Sequence, residues 1–288
     1  MAIQLRLENY RSKIPISVGG ILPETSGSEP EDLKRRSIWV GNRQVELGQL
    51  FEISDVDARD SNNGVFHQTH IWQGDLSKVH EIGLGLREGT IQIKGNAGRH
   101  VGARMTGGAI GVSGSVSDFL GAEMSGGRIQ VSGDSGDWTG AAYPGTKTGV
   151  NGGVILIAGN AGAGSGFAMR RGSMVIGGVA GPQVGWNMRA GTILVGSGIE
   201  GSFGCGMIRG TIMTVARAPK IVQQSLGPTF RMGSRLSFPM TSLFQQWLAN
   251  AGGCLESVNR LLCHETYQIF HGDCLRGGRG EVLIADVD

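Results

Sequence analysis

Lysine is scarce in this sequence. Lys13, Lys34, Lys78, Lys94, Lys147 and Lys220 are its only copies, and arginine supplies the rest of the 26 basic residues. Against 24 acidic residues they leave a net charge of +2, too balanced for a general nucleic-acid binder. Proline is also rare, at 8 against 51 glycines. The glycines follow no strict three-residue period, which excludes a collagen. Aromatics make up only 6% of the chain. The four cysteines, Cys205, Cys254, Cys263 and Cys274, form no CxxC pair, so the strong zinc signatures are absent. MAIQLRLENYRSK, residues 1–13, lacks the apolar stretch of a secretion signal. The cysteines are therefore expected as reduced thiols in a cytoplasm. Residues 148–169 carry no charge and are long enough to span a bilayer, but Gly149, Asn151, Gly152, Gly153, Gly159 and Asn160 make a poor span and no membrane association is expected. Nucleophile elbows and phosphate loops are missing too: there is no GxSxG and no Gly-Lys-Ser/Thr.

What the chain has instead is a repeat. Lines of nineteen residues align as REGTIQIKGNAGRHVGARM (87–105), TGGAIGVSGSVSDFLGAEM (106–124) and SGGRIQVSGDSGDWTGAAY (125–143). Setting aside PGTKTGV (144–150), they resume as NGGVILIAGNAGAGSGFAM (151–169), RRGSMVIGGVAGPQVGWNM (170–188) and RAGTILVGSGIEGSFGCGM (189–207). One glycine column runs through Gly89, Gly108, Gly127, Gly153, Gly172, Gly191 and Gly210. Another runs through Gly102, Gly121, Gly140, Gly166, Gly185 and Gly204. A third column reads Met105, Met124, Tyr143, Met169, Met188, Met207. A degenerate first line is expected to begin near His70.

Each line carries one short alternating segment, such as Ile91/Ile93, Ile110/Val112 and Ile129/Val131, the mark of a half-buried strand. No two of these strands are joined by a two-residue turn, so hairpins are excluded. Stacking each strand on its counterpart one line later gives a parallel sheet rising ~4.8 Å per repeat. The expected fold is all-β: a right-handed parallel β-helix of about eight nineteen-residue coils. Met105, Met124, Met169, Met188 and Met207 are then a structural ladder filling an inward slot.

Three divisions are expected: an N-terminal cap over 1–69, the β-helix over 70–216, and a C-terminal arm of mixed structure over 217–288. Residues 37–53 read as two strands about a Gly41-Asn42 turn. Residues 22–36 read as a polar surface loop. In the arm, short helices are expected within 236–253 and near 255–262, then a strand through Tyr267, and a tight turn at 277–280 leading into a last strand.

Candidate chemistry is sparse. His67 and His70 in HQTH lack a third ligand, and Cys263, His264, His271 and Cys274 match no zinc spacing, so no metal site is expected. The blocks GNAGRHVG (95–102), GDSGDWTG (133–140) and GNAGAGSG (159–166) read as corners of a coil. No catalytic residue is expected. The charged feature that stands out is a corner following the methionine column, where Arg170, Arg171, Arg189 and Arg209 fall in stacked positions. Like charges so close repel unless solvated or paired. They are expected to form a solvated or subunit-facing ridge, or to contact an acidic partner or polyanionic ligand.

The segment GARMTGGAIGVSG (102–114), recurring at 83–95, 121–133, 166–178, 185–197 and 204–216, resembles the repeat of the formylmethanofuran dehydrogenase C-subunit family. YQIFHGDCLRGGRGEVL (267–283) resembles the same family. The GxxGxxxG blocks also resemble the C-terminal β-helix of the large glutamate synthase subunit, which would make the chain a free spacer protein. The C-subunit resemblance implies one of two complexes. One is the molybdenum or tungsten enzyme of methanogens. The other is the formyltransferase/hydrolase complex of methylotrophic bacteria, which passes a formyl group from tetrahydromethanopterin to a methanofuran-type carrier and hydrolyses it to formate. The excess of arginine over lysine favours the bacterial one. In both, the resemblance implies a cytoplasmic β-helical subunit with no active site of its own. The metal, the carrier and tetrahydromethanopterin are expected on amidohydrolase-like and formyltransferase sister subunits. The carriers of this family bear glutamate-rich tails, which the arginine corner would suit. A left-handed acyltransferase β-helix is disfavoured, because its coils run in hexapeptides and nineteen is not a multiple of six.

Overall fold

Residues 2–8, 10–25, 30–56, 68–216, 224–236 and 266–286 are described by the computed structural model. They are nearly all β. The longest regular helix among them is the five-residue segment Pro30–Lys34. No helix among them is long and apolar enough to cross a membrane.

The repeat sets the sheet. In the strand Thr90–Lys94, Ile91 and Ile93 are buried while Gln92 and Lys94 face outward. Ile91 sits opposite Ile110 of the next strand, Ile110 opposite Ile129, and Ile129 opposite Ile155. Met174, Ile193 and Ile212 continue the line. Each step is a parallel pairing in the register that the sequence spacing dictates, because a slip by one residue would turn every isoleucine to solvent. His70 of Thr69–Gln73 takes the corresponding position opposite Ile91. Among the described residues the resulting sheet has thirteen strands.

Neighbouring repeats are bonded at more than the strands. Ala97, Val116, Ser135, Ala161, Ala180 and Ile199 form a second line of parallel bridges. At a third place the N–H of Gly121 donates to Val101 O at 2.8 Å, and that of Gly140 to Leu120 O at 2.7 Å. Six side chains of the line 87–105 are buried: Ile91, Ile93, Ala97, Val101, Ala103 and Met105. Gly121 shows why its column is glycine. Its φ is +59°, and a Cβ there would lie 2.6 Å from Ile155 Cδ1. Ile155, two lines further along the repeat, occupies the space a side chain would need.

Met105, Met124, Met169, Met188 and Met207 are all fully buried. Tyr143 does not belong to their column. The N–H of Met124 donates to Gly121 O, and the equivalent bond to Gly140 O is made by Val150 at 2.9 Å. Val150 is buried in the slot, so the inserted residues are 143–149 and not 144–150.

At the N-terminal side, Ala2–Leu7 joins the sheet parallel to Thr69–Gln73, and Phe51–Val56 closes that edge antiparallel. The expected hairpin at Gly41 is present: Ser37–Val40 pairs with Arg43–Glu46, and Gly41 has φ +60°. Residues 22–36 are not simply a loop. The helix Pro30–Lys34 buries Leu33 and carries a Glu31–Lys34 ion pair at 2.6 Å. At the other side Arg279–Asp286 pairs in parallel with Arg209–Ala216, and Tyr267–Gly272 and Arg231–Leu236 add on antiparallel. The tight turn before the last strand is built on Gly277 and Gly278, both with positive φ. The helices expected within 237–265 lie outside the described residues.

Candidate basic surface and groove

The repeat register brings the predicted arginines together by backbone hydrogen bonds. The N–H of Arg170 donates to Val150 O at 2.8 Å, that of Arg189 to Met169 O at 2.7 Å, and that of Ile208 to Met188 O at 2.8 Å. Arg170 and Arg189 thus hold equivalent positions one repeat apart, with Ile208 next. The following residue on each line gives Arg171, Ala190 and Arg209, and Arg209 pairs directly with Arg279. All four predicted arginines are exposed. None has an ion-pair partner among the described residues, unlike Lys34 with Glu31, Arg99 with Asp118 and Arg104 with Glu123. The row therefore presents positive charge to solvent, in the planar forks that suit carboxylate and phosphate oxygens.

Beside this row lies a groove of about 250 Å³. Arg189 lines it; Arg170, Arg171 and Arg209 do not. Two further cations reach it, Lys147 from the inserted residues and Arg276 from the turn after Tyr267–Gly272. Phe167 and Ile208 give it an apolar side, and Asn187 and Gly206, which lie against each other, also line it. Sequence reading missed Lys147 and Arg276. The signal available was the break in the nineteen-residue period, which marks a loop placed where the repeat alone needs none.

That loop is pinned. Tyr143 Oη meets His100 Nδ1 at 2.8 Å, and the Tyr143 N–H donates to Glu123 Oε1 at 3.3 Å. The Tyr143 ring stacks on Phe119 at 5.2 Å between centroids, and the Arg104 guanidinium lies 5.4 Å from the Tyr143 ring centroid. Burial pushes the Tyr143 hydroxyl up to about 12, so it stays protonated. Burial alone would raise the Glu123 carboxyl, but hydrogen bonds from Thr146 and Arg104 outweigh it and hold the group below its ordinary value.

The glycine-rich blocks carry a side-chain ladder. Asn96 Oδ1 accepts from the Ser115 N–H at 2.9 Å, and Ser115 Oγ from the Asp134 N–H at 3.0 Å. Asp134 Oδ1 accepts from the Asn160 N–H at 2.7 Å, and Asn160 Oδ1 from the Val179 N–H at 2.8 Å. Each short polar side chain caps the corner of the following repeat. Among the described residues, no group of three or more His, Cys, Asp or Glu is placed to hold a metal. His70 is buried, and neither ring nitrogen has a hydrogen-bond partner among the described residues. His271 and Cys274 are exposed, while His67, Cys263 and His264 lie outside the described residues.

No protein-family model matches the chain. A segment of 92 residues, 32% of this chain and 33% of the relative, is 33% identical to the C-subunit of the tungsten-containing formylmethanofuran dehydrogenase 2 of Methanothermobacter marburgensis. A segment of 91 residues, 31% of this chain and 21% of the relative, is 35% identical to the C-subunit of the molybdenum-containing formylmethanofuran dehydrogenase 1 of the same organism. The chain therefore aligns with a third or less of the length of these curated relatives. Over its whole length it is similar to a solved structure. A chain of the formyltransferase/hydrolase complex from Methylorubrum extorquens, crystallised with methylofuran, superposes with a TM-score of 0.83 at 28% identity. The superposition covers 99% of this chain and 100% of that one.

Proposed function

We propose that this chain is a non-catalytic scaffold subunit of a formyltransferase/hydrolase-type complex in one-carbon metabolism. The observation that carries this reading is the end-to-end superposition, 99% of one chain on 100% of the other. A likeness confined to the repeats would speak only for a fold. Here the segments on both sides of the repeats match as well.

In this reading residues 70–216 are a right-handed parallel β-helix of about eight coils, 1–69 its cap and 217–288 a packing arm. Hydrogen bonds one repeat apart at three separate places support winding over a single flat sheet, which would bond at the strands alone. Right-handedness is the rule for parallel crossovers. The buried positions are filled mainly by Ile, Val, Leu, Ala and Met, which suits a chain that offers faces rather than a catalytic cavity. The metal, a methanofuran-type carrier and tetrahydromethanopterin are assigned to metal-dependent amidohydrolase-like and formyltransferase sister subunits. The row Arg170, Arg171, Arg189 and Arg209 is assigned to an acidic partner surface or a polyanion.

The test is affinity purification of the tagged full chain from its host. Recovery of formyltransferase and amidohydrolase-like subunits is expected, and reversing the charges of Arg170, Arg171 and Arg189 together should reduce it. Unchanged assembly and ligand binding in that variant would remove the arginine assignment. The 33% and 35% identities over segments of 92 and 91 residues favour a second reading, the C-subunit of a methanogen-type molybdenum or tungsten enzyme. Recovery of a molybdopterin-bearing sister would select it. Recovery of the chain alone, with formyl-carrier turnover, would overturn the scaffold role.

A further inference from the structure

The groove beside the arginine row gathers cations from three distant parts of the chain. Lys147 comes from the insert, Arg189 from the corner after Met188, and Arg276 from the C-terminal turn. All three are exposed, and none pairs with an acid among the described residues. Among the described residues, no carboxylate lines the groove. The acid nearest in sequence to Arg276 is Asp273, and both of its oxygens are turned to backbone. Oδ1 accepts from the Leu275 N–H at 2.9 Å, and Oδ2 from the Gly206 N–H at 3.1 Å.

Converging like charges raise one another's energy, and a multiply charged anion between them reverses the sign. Guanidinium forks and an ammonium suit carboxylate and phosphate oxygens. About 250 Å³ is below the usual range of drug-sized pockets, which limits the occupant to a small molecule. Phe167 and Ile208 supply an apolar wall for a short carbon skeleton. We propose that the groove is a binding site for a small polyanion bearing carboxylate or phosphate groups, completed by the Tyr143–Gly149 insert. The proposal shares Arg189 with the arginine row and rests on that assignment to this extent. Lys147 and Arg276 lie outside the row and keep the two tests apart.

Calorimetric titration of the full chain with tricarballylate and, separately, with inorganic pyrophosphate tests the site. Saturable binding of at least one probe is expected, weakened about tenfold or more in the doubly substituted Lys147→Ala/Arg276→Ala chain. Arg170→Ala/Arg171→Ala should leave it within about twofold. Binding of tricarballylate alone identifies a carboxylate ligand, of pyrophosphate alone a phosphate ligand, and of both a site that reads charge. Circular dichroism and thermal melting confirm that each variant is folded. Absence of saturation by either probe, or equal loss in both pairs of variants, would overturn the proposal. A chain that fails to recover sister subunits yet binds a probe would sink the scaffold reading and leave the groove standing.

Discussion

His70 is the residue at which the stack departs most from its own pattern. It occupies the position that isoleucine fills at 91, 110 and 129, between Ile3 on one side and Ile91 on the other. Burial without a hydrogen-bond partner lowers its imidazole to about 4 from an ordinary 6.5. The unfolded chain therefore binds a proton through the window from 6.5 down to 4 that the folded chain does not. Stability from the neutral ring is complete above that window and is lost as pH falls through it, by about 2 kcal/mol at pH 5. His80 and His100 are also lowered, first by burial, and add to the same acid slope. Comparing His70→Leu with the unsubstituted chain isolates the share of His70. Urea melts at pH 7.5 and pH 5 should show a smaller acid loss in the variant, by that same figure, and equal slopes would refute the assignment.

Much of the fold was legible because one repeat states it several times over. Ile91, Ile110 and Ile129 give the register of the sheet, and Gly102 and Gly121 give the corners. The insert was not placed correctly, for a physical reason. Removing residues 143–149 or 144–150 restores the nineteen-residue spacing equally well, and a tyrosine is apolar enough to pass for a core residue. Only the bond from the Val150 N–H to Gly140 O decides between them. The arginine row was legible because its members recur at the period. The groove was not, because Lys147 and Arg276 come from the two segments that break it. As an element, the insert is dispensable for the stack: deleting Tyr143–Gly149 joins Ala142 to Val150, and the Val150 bond becomes the same three-residue turn that Met124 closes on Gly121. The deletion chain is expected to fold with stability within about 1 kcal/mol of the parent, since loop length itself contributes little. Chemical denaturation checks this, and collapse of the fold would show that the insert, with its His100 and Glu123 contacts, supports the stack.

At the scale of the whole molecule, the growth of the sheet has to stop. A parallel stack built from identical units leaves a row of unpaired N–H and C=O groups at each end, which invites further strands. Here both ends finish on antiparallel strands, Phe51–Val56 at one and Tyr267–Gly272 with Arg231–Leu236 at the other. The C-terminal closure is also apolar. Val282, Leu283 and Ile284 of the last parallel strand are buried, and Gly280 packs so closely on Met207 that a Cβ would sit 2.6 Å from its Cε. Removing residues 266–288 uncovers the full edge of Arg209–Ala216 together with the end of the methionine column. That truncated chain is expected to associate through the bare edge, with loss of monodispersity in light scattering coupled to size exclusion. Its melting should begin at lower temperature than in the full chain, because the last repeats lose their cover while the first ones keep theirs. A truncated chain that remained monodisperse with an unchanged melting curve would mean that residues before 266 close this end, and that the last two strands serve a partner instead.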